Sequence, residues 1–95
     1  MAKDIHEFRL KLMNKILHAS SGMAVVRFID TAMKVLGEKE VHGHIVVRFI
    51  EKIISDLEAT DLDTYEPSQQ SVINTAIVKF RGLRRKMTEQ AVGHD

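Results

Sequence analysis

The 95-residue chain has no cysteine, a single proline and no long apolar run. Without cysteine there is no thiolate chemistry, no cysteine-based zinc site and no disulfide framework, and the chain suits a reducing compartment. A membrane-spanning helix needs roughly 18–20 uninterrupted apolar residues, which no segment approaches, and no targeting pattern follows Met1-Ala2-Lys3-Asp4-Ile5-His6. A cytoplasmic protein without a membrane partner is the expectation. Excess charge is also lacking: fourteen Lys and Arg against thirteen Asp and Glu leave a formal charge of +1, which by itself argues neither for nor against nucleic acid. Nor is there a Gly-rich phosphate loop, a nucleophile elbow or a His-Glu-x-x-His motif. The chain reads as non-enzymatic and without a cofactor.

What the chain does contain, twice, is one short stretch. Val25-Val26-Arg27-Phe28-Ile29-Asp30 recurs twenty-one residues later as Val46-Val47-Arg48-Phe49-Ile50-Glu51. The match extends from Gly22 with Gly43 to Leu36 with Leu57. At about 100° per residue, Val25, Ile29, Ala32 and Leu36 form one seam and Val46, Ile50, Ile53 and Leu57 form its equivalent. Two copies of one amphipathic helical unit therefore follow each other.

Around them the helical period continues. Asp4, with Glu7 three residues on, is a capping-box start for a first helix carrying Ile5, Phe8, Leu12 and Ile16. Either serine of Ser20-Ser21 suits the cap of the second helix, and Gly37 suits its C′ residue. Pro67, the one proline, fits the first turn of the last helix, which carries Val72, Ile73, Ala76, Ile77, Phe80, Leu83 and Met87. The expected fold is all-α: one domain over 1–95, a small four-helix antiparallel bundle with helices at about 4–18, 21–36, 40–58 and 67–91, and a frayed tail at 92–95.

In the third helix the apolar residues sweep about 200° of the helical wheel, and the second helix is nearly as broad, whereas a surface helix needs only about 100°. A second buried interface is expected, most simply a homodimer with Val25, Ile29, Val46, Phe49, Ile50, Ile53 and Leu57 as its seam. Arg27 with Asp30, and Arg48 with Glu51, read as solvent-side i,i+3 pairs worth a few tenths of a kcal/mol each.

Five bases within eight residues, Lys79, Arg81, Arg84, Arg85 and Lys86, form the candidate anion- or partner-binding segment. Helical projection divides them: Arg81, Arg84 and Arg85 on one flank of the apolar stripe, Lys79 and Lys86 on the other. The acidic stretch 51–66, with six acids against the single Lys52, offers them an internal partner. His42-Gly43-His44 lacks the further ligands a metal site requires. Counting a calcium loop from Asp61 puts Val72 at the twelfth place, where an acid is needed. The functional expectation is a helical protein-interaction or regulatory module, binding through whatever apolar face of the repeated helices stays open or through the charged patches around 58–66 and 81–86. The alternative is a small nucleic-acid-binding protein using the basic segment.

Overall fold

The computed structural model describes residues 2–93, with side chains for 5–89. Four helices form: α1 (Ala2–Leu17), α2 (Gly22–Glu38), α3 (Gly43–Ala59) and α4 (Pro67–Gly93), with a 3₁₀ turn at Leu62–Thr64. The bundle is all-α, and the Val-Val and Ile-Val-Val runs are helical, because their neighbours keep the 3.6-residue period.

Helix boundaries follow local hydrogen bonding. Ser21 caps α2, its hydroxyl accepting from the Ala24 N–H at 3.1 Å. Pro67 opens α4 where its missing N–H costs nothing. The Asn14 carbonyl near the end of α1 accepts from the His18 backbone N–H at 3.2 Å, and the His18 ring Nδ1 lies 2.9 Å from the same oxygen.

Four expected boundaries shift. The first helix is already formed at Ala2, so Asp4 is a first-turn residue and not the cap. The third starts at Gly43, with His42 at its N-cap making no side-chain capping bond. The second runs through Gly37 to Glu38, and the left-handed residue that ends it is Glu40, at φ 56°. The Glu40 N–H donates to the Gly37 carbonyl at 3.1 Å and the Val41 N–H to the Leu36 carbonyl at 3.2 Å. These are the two bonds of a Schellman ending, with Val41 and Leu36 both joined to the core. The last helix extends past 91 to Gly93, so half of the expected tail is helical; His94 and Asp95 lie outside the described residues.

Helix α4 is the shared inner wall. It packs along both α2 and α3, α1 touches all three others, and α2 and α3 make little direct contact across the bundle. The two repeat units therefore stand on opposite flanks of α1 and α4. Phe80, Ile73, Ile16, Ile29, Ile50, Ile53, Leu57 and Val25 are the largest wholly buried side chains, and no polar or charged residue of the described part is buried with them.

Two consecutive glutamines fasten the long connection. Gln70 Nε2 donates to the Leu62 and Tyr65 carbonyls at 2.8 and 2.9 Å, and Gln69 Nε2 donates to the Leu17 carbonyl at the end of α1. Asp61 accepts from the Asp63 N–H at 3.1 Å, so this acidic loop uses its first carboxylate as a local cap.

The ending of α2 yields a prediction. Glu40→Gly should raise the unfolding free energy by about 1 kcal/mol, since a left-handed non-glycine residue costs roughly that much. Gly37→Ala should add about 0.5–1 kcal/mol, because Gly37 is helical and nothing lies within 4 Å of an added Cβ. Urea midpoints at unchanged slope measure both; a lower midpoint for Glu40→Gly would contradict the Schellman ending.

Candidate functional site

The bases of α4 do not form one patch. Lys79 Nζ sits 3.2 Å from Asp30 Oδ1 on α2, and Arg81 pairs with Glu58 on α3, from opposite flanks of the helix. Both pairs are solvent-exposed enough to contribute little stability, yet they engage two of the five candidate cations. Arg84 is half-buried and Arg85 and Lys86 are exposed; among the described residues none of these three has a carboxylate within 4.0 Å.

The i,i+3 pairs within the repeats do not form: among the described residues neither Arg27 nor Arg48 has a carboxylate within 4.0 Å. Arginine preceding its acid is the less favourable order on a helix, and Asp30 turns to Lys79 instead. A third pair was not foreseeable from spacing: Arg9 Nε lies 3.3 Å from Asp56 Oδ2, with the Arg9 side chain only 12% exposed. That carboxylate is off the N–H direction, leaving the buried Nε without an aligned hydrogen bond.

The dimer seam expected from the repeats also needs correction. Val25, Ile29, Val46, Phe49, Ile50, Ile53 and Leu57 are 0–8% exposed within a single chain, so this fold leaves none of them for a second copy. Most of the breadth of α3 is absorbed by its own chain, since α1 and α4 pack against it, although Ile45 stays exposed and Val47 half-buried at its start.

The same breadth in α2 is only partly covered. Phe28 and Val35 are half-buried and, with Phe8, Lys11, Leu12, Lys15, Thr31 and Ala32, they line an open groove of about 400 Å³ between α1 and α2. Three repeat-equivalent pairs account for the difference between the flanks. Phe49 is buried and stacks on Phe8 at 5.8 Å between ring centroids, whereas Phe28 stays half-buried with the Lys15 ammonium 5.7 Å from its ring centre. Where α3 has the wholly buried Ile53, α2 has Ala32, and the smaller side chain leaves depth. Where α3 has Asp56, paired with Arg9 of α1, α2 has Val35, and an ion pair is replaced by an apolar wall.

Two other depressions are present. One, of about 420 Å³, joins the start of α3 to the end of α4 through His44, Val47, Arg48, Glu51, Met87 and Thr88. The other is a shallow uncharged face of α4 between Pro67 and Val78. The His42 and His44 rings stack at 5.7 Å, and among the described residues no three potential metal ligands gather there or elsewhere. No helix among the described residues is long and apolar enough to cross a membrane. Comparison with protein-family models, curated proteins and solved structures finds no match to this chain.

No sequence motif marks Phe8, Lys11, Lys15, Phe28, Thr31 or Val35 as a site. The usable signal was the broad apolar arc together with the differences between repeat copies at 32 and 53 and at 35 and 56. Phe49→Ala should cost about 3–5 kcal/mol, as for a buried aromatic, and Phe28→Ala only about 1–2 kcal/mol, as for partial burial. Equal losses in urea unfolding would mean the two flanks are equally closed.

Proposed function

We propose that the protein is a non-enzymatic helical interaction module that receives a partner in the α1/α2 groove. The observation behind this reading is the asymmetry of the repeat: Phe49 is closed over by α1, while its equivalent Phe28 lines an open apolar groove. Apolar surface that is concave and rimmed by charge is the usual form of a recognition site. A cytoplasmic setting belongs to this reading, supported by the absence of cysteine.

The partner is a different chain in this proposal. The homodimer expected from the sequence relied on residues that are core side chains of one chain, and its support falls with them. The nucleic-acid alternative retains Arg84, Arg85 and Lys86, but Lys79 and Arg81 are held by carboxylates on two different helices, which breaks up the continuous basic strip that phosphate binding favours.

A photo-crosslinking residue at Thr31, within the groove, should give a discrete protein adduct in the native cell that nuclease leaves intact. The same residue at Ser55, exposed on α3, should not. Light scattering should give the mass of one chain. Equal adducts from both positions, or a stable dimer with Phe28 and Val35 protected from exchange, would overturn the reading. Nucleic-acid binding that falls steeply with salt and disappears in Arg84→Ala/Arg85→Ala would favour the basic segment instead.

A further inference from the structure

Phe8 and Lys15 on α1, and Phe28 and Val35 on α2, stand seven positions apart, about 10.5 Å at 1.5 Å per residue. The groove is therefore two helical turns long and open along its length. Its floor is Leu12 and Ala32, both nearly inaccessible, and its walls are Phe8, Phe28 and Val35. That shape matches the side chains a helix projects at i, i+3 or i+4, and i+7.

The charge of the rim is one-sided. Lys11 and Lys15 stand one turn apart on α1, and no carboxylate lines the groove. Among the described residues neither lysine has an acid within 4.0 Å. Lys15 rests its ammonium over the Phe28 ring, a weak contact at an exposed site that a carboxylate can replace.

We infer that the occupant is an acidic amphipathic helix of another protein, with apolar anchors against Phe8, Phe28 and Val35 and two carboxylates one turn apart facing Lys11 and Lys15. This rests on the groove being the docking site. The spacing of the lysines favours a helix over an acyl chain: a fatty acid brings one carboxylate, whereas acids at i and i+4 of a helix meet both ammonium groups. A second copy of this chain is a poor source. In its acidic stretch from Glu51 to Glu66 the helical apolar residues Ile53, Ile54 and Leu57 are buried in the core, and Asp56 and Glu58 are already paired.

The test uses three probes: a fluorescent helical peptide with leucines at i, i+4 and i+7 flanked on one side by glutamates, its twin with lysines for the glutamates, and lauric acid as competitor. The acidic peptide should bind about tenfold more tightly than the basic twin, as two rim charge pairs allow. Salt should narrow that gap, and Lys11→Glu/Lys15→Glu should reverse it while circular dichroism stays helical. Nuclear magnetic resonance shifts should fall on Phe28 and Ala32 and not on Ser55. Equal binding of both peptides at the groove would overturn the acidic-helix inference and leave the docking reading standing. Displacement of the acidic peptide by lauric acid at comparable concentration would assign the groove to an acyl carboxylate. Failure of both peptides to shift Phe28 and Ala32 would remove the inference and the docking reading together.

Discussion

Burial of three sides of α4 is the interaction on which the bundle depends. Ile73, Ala76 and Phe80 are wholly inaccessible, and α1, α2 and α3 all rest on the same helix. Because α2 and α3 barely meet, neither can complete the core with the other, and the two repeat units are held in one body through α1 and α4. A large-to-small change at Phe80 would open a cavity shared by all these contacts, whereas the exposed ion pairs on either side of α4 add little. They lie on either side of the helix: Lys79 reaches α2 and Arg81 reaches α3, in keeping with two repeats on opposite flanks.

From that arrangement the difference between the flanks follows. Two copies of one apolar unit meet the same neighbour, α1, with different residues at corresponding places. Ile53 and Asp56 fill and clamp the α3 side, through packing and through the pair with Arg9. Ala32 and Val35 leave the α2 side deep and apolar. Two copies of one unit thus differ in an open groove through a smaller side chain at one position and an apolar residue in place of a carboxylate at another, on the same backbone plan. The proposed docking of an acidic helix adds only the two lysines on the α1 rim, already spaced at one turn.

Much of the local structure was legible in the residues themselves. The 3.6-residue period locates four helices, Ser20-Ser21 and Pro67 mark two of their starts, and the repeat reads as architecture. Three readings from the same logic were displaced. Gly37 was the natural helix end by propensity, but the backbone stays helical there and turns at Glu40, where Val41 can return to the core. Arg27–Asp30 and Arg48–Glu51 satisfied a spacing rule, but Asp30 is reached by Lys79 from another helix. The broad arcs implied a partner, and for most of α3, from Val46 to Leu57, the rest of the chain supplies the cover, Val47 being only half-buried.

The sequence by itself determined the helical class, the absence of thiol chemistry and the doubling of the central unit, because periodicity, composition and repeats are properties of neighbours along the chain. Only the tertiary structure decided that the repeats lie apart on either side of α1 and α4, that the seam residues are internal, and that Lys79 and Arg81 are engaged. It also decided that α2 keeps the open flank. These depend on which faces meet across tens of residues, and a helical wheel records the width of an apolar face without recording what covers it.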